Sequence, residues 1–497
     1  MMRDHTDILI IGAGLAGIGT ACHMVTKLPG LSLQIVEMRE HMGGTWDLFR
    51  YPGIRSDSNM HVYGYEFRPW VDDKSISPGE HILDYIKATA RDYNLTDKTS
   101  FGQRVMSADF STQTALWTVT LRGAGGEDRR VTCRWLQSCT GYYNYGAGYR
   151  PDFAHEEDFG GQIIHPQDWP QDLDYQGKRV VVIGSGATAV TLVPSLAEQG
   201  AGHVTMLQRS QSYIFPDKDY DPLAQKLMKI LPEKWAYALI RKKNIFLERY
   251  KIGRALKYPV QTRALFEAKA AERLPDDFDI VKHLRPSYPP ATQRICFSPN
   301  GDLFTQITAG RASIETGHIK RFTQTGIVLT DGTVLKADII VTATGLNIVM
   351  LGEATLSVDG KTVNLPDHYI YKGCMLSNVP NMALSSGTLT ASYTLRVELQ
   401  ARYVCNVLKT MLKSGADYAV PALSAAAQAG MPRLPFMGEF NSGYILRAID
   451  TSPRQGDKDP WINHQTYIEN KVQLLGPVSD DVLSFKSVVP RSEHNAV

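Results

Sequence analysis

Residues 7–17 read Asp-Ile-Leu-Ile-Ile-Gly-Ala-Gly-Leu-Ala-Gly. The apolar run before the first glycine predicts a buried strand, and the residues after it predict the start of a helix. Gly12 permits a tight turn, Gly14 lets the backbone approach a pyrophosphate, and Gly17 permits close packing of the helix on the strand. Glu37 ends the next predicted strand, where a carboxylate accepts the ribose hydroxyls of a dinucleotide. The pattern therefore predicts a dinucleotide-binding fold rather than a glycine-rich turn without a ligand.

A second glycine turn, at residues 184–189, reads Gly-Ser-Gly-Ala-Thr-Ala and also lies between a predicted strand and a helix. The strand that follows it ends without a carboxylate, at Gln208, Arg209 and Ser210. A guanidinium and a hydroxyl bind a 2′-phosphate, whereas a carboxylate would repel it. The second site is therefore predicted to prefer NADP to NAD. The alternative is that Arg209 forms only a surface salt bridge.

Composition excludes several classes of protein. The chain has 497 residues, of which 43% are hydrophobic and 21% charged, so it is expected to form several globular domains. The formal net charge of +2 provides no global field for nucleic acid. Six cysteines without CxxC or metal-ligand spacing argue against a disulfide framework and a metal site, and they favour a cytoplasmic setting. No transmembrane segment is expected.

Two dinucleotide sites predict an α/β fold with two Rossmann-like domains and a helical insertion. The acid-bearing site suits FAD and the arginine-bearing site suits NADPH, so hydride would pass from nicotinamide to flavin. Residues 1–144 and 345–497 are predicted to form the FAD-binding domain, the second segment including a C-terminal wrap. Residues 145–212 and 292–344 are predicted to form the NADP-binding domain, and 213–291 the insertion. The elements predicted with these motifs are strands at 7–11, 33–37, 179–183, 203–208, 313–316, 327–329 and 334–341, and helices at 15–27, 81–93 and 187–198.

The positions of the cysteines indicate which molecule accepts the electrons from the flavin. A thiol-disulfide reductase would use both cofactors but would need a redox-active cysteine pair beside the flavin. Cys133 and Cys139 are the most closely spaced pair, with five residues between them in predicted strands. We therefore expect molecular oxygen to accept the electrons.

Residues 159–170 read Phe-Gly-Gly-Gln-Ile-Ile-His-Pro-Gln-Asp-Trp-Pro and match the pattern FxGxxxHxxxWP. This pattern, between two glycine turns, resembles the signature of class B flavoprotein monooxygenases of the Baeyer–Villiger type. Residues 43–58 resemble the flavin-side loop of that family, and 139–145 and 342–347 resemble its two interdomain crossings. The resemblance covers nearly the whole chain. Its motif residues are Phe159, Gly161, His165, Trp169 and Pro170.

The resemblance implies an activity. In this family NADPH reduces FAD, oxygen forms a C4a-peroxyflavin, and one oxygen atom is inserted into a ketone to give an ester or lactone. The same intermediate oxygenates sulfides and thioamides. The family's catalytic arginine corresponds to Arg294, with Asp57 as its partner. Arginine suits a developing oxyanion because it stays protonated and offers several donors. The alternatives are a structural arginine before a strand and a loop cap at Asp57.

The two turns and the resemblance together give a set of predicted cofactor-binding residues: Gly12, Gly14, Ala16, Gly17, Glu37, Thr45, Trp46, Asp47, Leu48, Arg55, Ser56, Asp57, Val105, Gly184, Ser185, Gly186, Ala187, Thr188, Ala189, Gln208, Arg209 and Ser210. Arg55 and Ser56 are expected on the nicotinamide side. Gln293 stands where many family members have a lysine that binds the 2′-phosphate. Arg209 is therefore expected to contribute more to the binding of this phosphate. His165 is either a linker residue that couples domain motion to NADP binding or a packing residue.

Residues 221–275 hold 13 Lys and Arg against 5 Asp and Glu. We expect a solvated helical face with one apolar stripe, formed by Leu227, Ile230, Trp235 and Leu239, and we favour this over contact with an acidic membrane surface. In the resembling family this insertion lies beside the substrate site.

The expected partners are a small ketone or sulfide and O2, with the oligomeric state left open. An N- or S-oxygenating flavin monooxygenase and a non-catalytic dinucleotide sensor are the alternative functions.

Overall fold

The computed structural model describes residues 3–438 and 442–488, and two large sheets organise it. In chain order, its strands are β1 His5–Ile11, β2 Leu33–Val36, β3 Thr99–Ser100, β4 Gln103–Ser111, β5 Leu116–Gly123, β6 Asp128–Ser138, β7 Gln162–Ile164, β8 Arg179–Ile183, β9 His203–Gln208, β10 Ile214–Asp217, β11 Cys296–Pro299, β12 Ala312–Thr316, β13 Ile319–Thr323, β14 Gly326–Leu329, β15 Val334–Lys336, β16 Ile339–Thr342, β17 Thr355–Val358, β18 Lys361–Thr362, β19 Ile370–Tyr371, β20 Met375–Leu376, β21 Met382–Leu384, β22 Tyr418–Pro421, β23 Leu434–Pro435, β24 Arg454–Gln455 and β25 Leu483–Lys486.

The α-helices within the same residues are α1 Leu15–Lys27, α2 Thr45–Leu48, α3 Met60–Tyr63, α4 Gly79–Asp92, α5 Ala187–Glu198, α6 Pro222–Ile230, α7 Glu233–Lys257, α8 Pro259–Ala271, α9 Ile280–Leu284, α10 Asp302–Thr308, α11 Tyr393–Ser414, α12 Ala425–Ala429, α13 Gly443–Ala448 and α14 Tyr467–Leu475. None of these helices is long and apolar enough to cross a lipid bilayer.

The first sheet has nine strands in the order β18-β17-β4-β5-β6-β1-β2-β3, with β21 paired to β6. At its centre β1 runs parallel to β2 and to β6, and Ile8 pairs with Leu33 on one side and with Trp135 on the other. Both faces of β1 are covered, because Ile8 packs into one apolar cluster and Leu9 into another. A parallel strand buried on both faces accounts for the continuous apolar run in the sequence.

The second sheet has five strands in the order β12-β9-β8-β16-β7, and every pairing in it is parallel. Helix α5 covers it through Val190, Leu192 and Val193, which are fully buried. The predicted α/β fold class with two dinucleotide-type sheets is thereby confirmed. The first sheet takes its strands from both ends of the chain and the second from its middle, whereas the predicted bounds of the five segments stay a prediction.

Several predicted elements have the expected bounds. Helices α1 and α5 and strands β8 and β9 begin and end where the sequence predicts. The predicted strand at 334–341 was wrong as a single element, because it divides into β15 and β16, which belong to different sheets. Asp338 lies at the break, where its carboxylate accepts a hydrogen bond from the backbone amide of Arg179 (2.8 Å) and binds that residue's guanidinium.

The helical insertion is present as α6, α7 and α8, but its apolar stripe is not where we expected it. Ile230 and Trp235 are 66% and 69% exposed and Leu239 is 47% exposed, while Leu227 is half-buried. Helix α7 instead packs through a different face, on which Ile240 and Arg241 are buried. Three of the four stripe residues therefore face solvent, while Leu227 packs against a small buried cluster.

Arg241 anchors α7 to the first domain. Its guanidinium binds the carboxylate of Glu398 (2.6 Å) and donates to the carbonyl of Gly64 (2.7 Å), with both charged side chains less than a tenth exposed. A buried carboxylate without its partner is destabilising, because burial removes the water that would solvate it.

We predict that Arg241→Ala lowers the free energy of unfolding by about 3–5 kcal/mol, because it leaves the buried Glu398 carboxylate without its guanidinium partner. Urea denaturation followed by circular dichroism measures this. Arg249→Ala is the matched control, since Arg249 lies exposed on the same helix; its effect should stay within about 0.5 kcal/mol. Equal stability of the two variants would contradict the anchoring role of Arg241.

Candidate active site

One large cavity, of about 750 Å³, lies where the two glycine turns approach each other. A volume of this size is typical of sites that bind small molecules and cofactors. The predicted site residues that line it are Gly12, Gly14, Ala16, Glu37, Thr45, Trp46, Arg55, Ser56, Asp57, Val105, Ala187, Thr188 and Arg294. The remaining predicted cofactor residues lie outside this lining: Gly17, Asp47, Leu48, Gly184, Ser185, Gly186, Ala189, Gln208, Arg209 and Ser210.

The first turn is held tightly against its surroundings. Gly12 has a φ of +101°, and a Cβ there would lie 2.5 Å from the carbonyl oxygen of Cys139. A Cβ at Gly17 would lie 1.8 Å from the carbonyl oxygen of Gly12, so only glycine lets α1 start this close to β1. The N-terminus of α1 consequently points into the cavity, where its unpaired amides favour an anion.

The second turn repeats this arrangement. Gly184 has a φ of +143°, and a Cβ there would lie 2.3 Å from the carbonyl oxygen of Ala343. A Cβ at Gly186 would meet no atom within 4 Å, so the glycine leaves open space in front of the helix. That open space is what a pyrophosphate needs at the N-terminus of α5.

Glu37 is fixed in place before any ligand arrives. Its carboxylate accepts hydrogen bonds from the backbone amides of Ala13 (2.8 Å) and Arg39 (3.0 Å), and the residue is 4% exposed. Burial raises the pKa of Glu37 above its ordinary value, against the opposing effect of these two amides. Each carboxylate oxygen still has a free acceptor position for a ribose hydroxyl.

The end of β9 has one buried and two exposed side chains. Gln208 is buried, and its amide donates to the carbonyl of His283 (2.6 Å) and to the Thr316 hydroxyl (2.9 Å). Both of its donors are therefore used inside the protein, so Gln208 is unavailable to a phosphate. Arg209 and Ser210 are exposed, and Arg209 has no ion pair with any residue in the described part of the chain.

Asp47 and Ser185 also have internal partners. The Asp47 carboxylate forms ion pairs with Arg39 and Arg50, each at 2.9 Å. The Ser185 hydroxyl donates to the carbonyl of Ser210 (3.0 Å). These contacts fix the flavin-side loop and the end of β9, respectively.

Arg294 and Asp57 meet in the cavity although 237 residues separate them in sequence. The guanidinium Nη1 lies 3.3 Å from the carboxylate Oδ2, and solvent reaches Arg294 through the cavity opening. Enclosure by protein would lower the pKa of Arg294, but the Asp57 carboxylate outweighs it and raises that pKa above its ordinary value. The site therefore holds a positive charge that does not titrate in the physiological range.

Arg55 links the flavin-side loop to the second domain. Its Nη1 donates to the carboxylate of Asp302, the first residue of helix α10, at a distance of 2.5 Å. Its Nη2 is buried without a hydrogen-bond partner among the residues described. Ser56 beside it is buried, and its hydroxyl accepts from the amide of Ser77 (3.2 Å). Arg55 thus lines the cavity and has one donor without a partner among these residues.

His165 contacts the interdomain crossing at residues 342–347. Its Nδ1 accepts from the amide of Gln167 (3.2 Å), which leaves Nε2 to donate to the carbonyl of Gly345 (3.2 Å). A Cβ at Gly148 would lie 2.0 Å from the imidazole, so the ring packs directly on that glycine. Burial lowers the pKa of His165, so the neutral ring is favoured. His165 lines no part of the cavity, whereas Phe159 and Trp169 are buried in the core of the second domain.

Sequence reasoning missed several residues of the cavity wall. Tyr142, Tyr143, Tyr393 and Tyr444 line it, and burial raises the pKa of Tyr143, Tyr393 and Tyr444. Glu248 of α7 also lines it, and burial raises the pKa of this carboxyl to about 7 against the opposing charges of Arg241 and Lys251. Tyr142 and Tyr143 belong to residues 139–145, which the resemblance marks as an interdomain crossing. A single sequence shows no signal for Glu248.

The cysteines form no redox pair. All six are free and buried. Burial raises the pKa of Cys139 to about 11 and that of Cys133 still further, so neither is a thiolate at neutral pH. Neither of these two thiols is therefore in the reactive form at neutral pH.

Two sheets with parallel central strands, each with a glycine turn and a helix N-terminus at one shared cavity, define a two-dinucleotide oxidoreductase. The chain belongs to the flavin-binding monooxygenase-like family, which it matches over residues 6–420. The predicted flavoprotein monooxygenase is thereby confirmed at the level of the family.

The names of similar proteins support this family assignment. The chain is 46% identical over 486 residues to the FAD-containing monooxygenase EthA of Mycobacterium tuberculosis, covering 97% of this chain and 98% of that protein. It is 44% identical over 485 residues to the probable FAD-binding monooxygenase AlmA of an Acinetobacter species, covering 97% of each.

Solved structures show the same fold at lower identity. A steroid monooxygenase bound to NADP is 22% identical with a TM-score of 0.76, covering 97% of this chain and 100% of that one. An open form of cyclohexanone monooxygenase is 23% identical with a TM-score of 0.71, covering 86% of this chain and 91% of that one.

We predict that Glu248 makes binding of a neutral, apolar substrate depend on pH. The carboxyl is mainly uncharged below its pKa of about 7 and charged above it, and a charged group in the cavity retains water that such a substrate must displace. The KM for a neutral thioether should rise several-fold between about pH 6 and about pH 8. Glu248→Gln should remove this rise, whereas Glu272→Gln, an exposed acid on the same insertion, should keep it. A wild-type KM that is flat with pH would contradict the role of Glu248.

Proposed function

We propose that this chain is an FAD- and NADPH-dependent Baeyer–Villiger monooxygenase. It inserts one oxygen atom of O2 into ketones to give esters or lactones, and it also oxygenates sulfides and thioamides. The observation that carries the proposal is the contact between Arg294 and Asp57, which brings a fixed positive charge and its orienting carboxylate to the cavity shared by both glycine turns.

The first turn suits FAD. Glu37 lines the cavity with its carboxylate already oriented by two backbone amides, as a ribose-binding acid requires. The helix N-terminus after Gly14 suits the pyrophosphate. The flavin-side loop supplies Thr45 and Trp46 to the same cavity. The relatives that bear FAD in their names support this assignment.

The second turn suits NADPH. Gly186 leaves open space before α5, and Arg209 is exposed and without an ion pair among the described residues at the end of β9. A guanidinium binds the 2′-phosphate that distinguishes NADP from NAD. Arg55, predicted on the nicotinamide side, lines the cavity and has one donor, Nη2, without a partner among the described residues.

The chemistry divides between the cofactors and the chain. When bound, the reduced flavin supplies the electrons and activates oxygen. The Arg294 guanidinium stabilises negative charge as it develops on the carbonyl oxygen of the substrate, because its donors are in place beforehand. Asp57 orients the guanidinium and balances its charge.

Aromatic side chains line the walls of the cavity that holds this charge. Trp46 donates to the Tyr63 hydroxyl (3.0 Å), and Tyr143 donates to the Tyr142 hydroxyl (3.3 Å), so these rings hold one another in place. Burial raises the pKa of Tyr63 and Tyr143, so neither supplies negative charge beside Arg294 at neutral pH. A drier cavity strengthens the attraction between the guanidinium and an oxyanion.

We place the enzyme in the cytoplasm. Six cysteines that are unpaired and buried fit a reducing compartment. No predicted role in the proposed reaction requires a disulfide or a metal.

We predict that Arg294→Ala retains FAD but loses ester formation by about 10²–10³-fold, because the oxyanion loses its preorganised donor. The measurement is NADPH consumption in air by the FAD-loaded enzyme, with products from a panel of ketones and a thioether identified by mass. Arg321→Ala, an exposed arginine of β13, is the control and should match wild type.

The same assay separates the alternatives. Ester yield from Arg294→Ala equal to that of wild type would refute the role of Arg294. Sulfoxide without ester from wild type would show an N- or S-oxygenating enzyme. No NADPH consumption by protein that binds both nucleotides would show a dinucleotide sensor.

We predict that Arg209→Ala raises the KM for NADPH by about tenfold or more and leaves the KM for NADH nearly unchanged, since the lost interaction is with the 2′-phosphate. Steady-state kinetics with both coenzymes measure the two effects. The conservative variant Arg209→Lys should recover part of the preference. Equal increases for the two coenzymes would place the 2′-phosphate elsewhere.

A further inference from the structure

The helical insertion presents an unusually apolar surface to solvent. Of the 21 large apolar side chains that are exposed in the described residues, 11 lie between residues 222 and 271. Trp235, Leu239, Phe246 and Tyr250 recur at spacings of four, seven and four, so they share one face of α7. Ile230 of α6 precedes them and is 66% exposed. We call these five residues the outer face.

Positive charge accompanies the outer face. Five cations of α7 are exposed and have no ion pair with any residue between 3 and 438 or between 442 and 488: Lys234, Lys242, Arg249, Arg254 and Lys257. The other basic residues of this helix are neutralised, Arg241 by Glu398, Lys243 by Asp221 and Lys251 by Asp217. The cations left over thus lie on the solvent side of α7, beside the aromatic side chains.

A surface depression on α7 is lined by both aromatic and cationic side chains. Phe246 and Tyr250 line it with stacked rings 6.4 Å apart, and Arg249, Arg254 and Lys257 surround them. No acidic residue lines this depression. Its chemistry matches an anionic head group whose acyl chain meets aromatic side chains.

We propose that the outer face docks on a bilayer that contains anionic phospholipid. Tryptophan, tyrosine and phenylalanine partition to the boundary between head groups and acyl chains. Each lysine or arginine near an anionic leaflet adds attraction that salt screens. The protein lies on the bilayer through α6 and α7 without crossing it.

A second copy of the chain fits this surface less well. A two-fold interface would place the same patch on both subunits, so five unpaired cations would face five more. Their repulsion has no acidic group within the depression to offset it. An anionic lipid surface supplies that compensating charge along the whole face.

The docking surface and the catalytic cavity share one helix. Glu248 and Ile252 of α7 line the cavity, while Phe246 and Tyr250 face outward. Docking by this helix brings the cavity wall next to the bilayer. The proposal concerns location and does not depend on which oxygenation the enzyme performs.

The test is co-sedimentation of the FAD-loaded, full-length enzyme with vesicles of phosphatidylcholine, with and without phosphatidylglycerol. Binding is expected only with phosphatidylglycerol and should weaken at high salt. Arg249→Glu with Lys257→Glu should lower the affinity for vesicles by about tenfold or more. Trp235→Ala with Phe246→Ala should release the binding that remains at high salt. Both double variants should keep the wild-type rate of NADPH consumption in solution.

The control variants reverse charge or remove apolar side chains at exposed positions elsewhere. Lys320→Glu with Arg321→Glu reverses two exposed charges on β13, and Val334→Ala with Val472→Ala removes two exposed apolar side chains. Both controls should bind vesicles as wild type does. Equal binding by all four variants would overturn the proposal. A dimer in analytical ultracentrifugation that Trp235→Ala with Phe246→Ala dissociates, without vesicle binding by wild type, would assign the outer face to a second copy instead.

Discussion

The close contact between each glycine turn and a crossing segment determines where everything else in the molecule lies. The backbone of Gly12 abuts the carbonyl of Cys139, and that of Gly184 abuts the carbonyl of Ala343. Each of these carbonyls belongs to the segment that follows a central strand of its own sheet. Because a Cβ at either glycine would collide with that carbonyl, strand, helix and crossing come together only when both positions are glycine. The ends of the two sheets consequently meet at one cavity.

Bringing two domains together in this way also assembles the charges of the site. Asp57 comes from the flavin-side loop and Arg294 from the segment before β11, so neither domain alone contains the pair. Arg55 and Asp302 form a second ion pair across the same boundary, with both side chains largely buried. The relative position of the domains is thus part of the proposed catalytic geometry, and His165 binds the carbonyl of Gly345 in one of the two crossings.

The sequence was sufficient where local patterns and glycine turns determine structure. Helices α1 and α5 follow such turns and have the predicted bounds, as do β8 and β9. It was insufficient where a long-range contact decides. The break between β15 and β16 depends on the contact of Asp338 with Arg179. The side-chain amide of Gln208 is hydrogen-bonded to His283, which follows it by more than seventy positions. The contact of Arg294 with Asp57 was accessible only through family resemblance, because spacing along the chain carries no such information.

The outer face is recognisable from the sequence only in part, because the predicted apolar stripe includes Ile230, Trp235 and Leu239 but not Phe246 and Tyr250. In helix α7, apolar side chains lie on the side that packs against the protein and also on the side that faces solvent, so their directions cancel when hydrophobicity is added as vectors around the helix axis. A genome-wide search that ranks helices by net amphipathicity would therefore pass over α7. Surface-seeking helices that also form a wall of an enzyme cavity are systematically under-counted by such searches, and they become visible only when exposure is measured residue by residue.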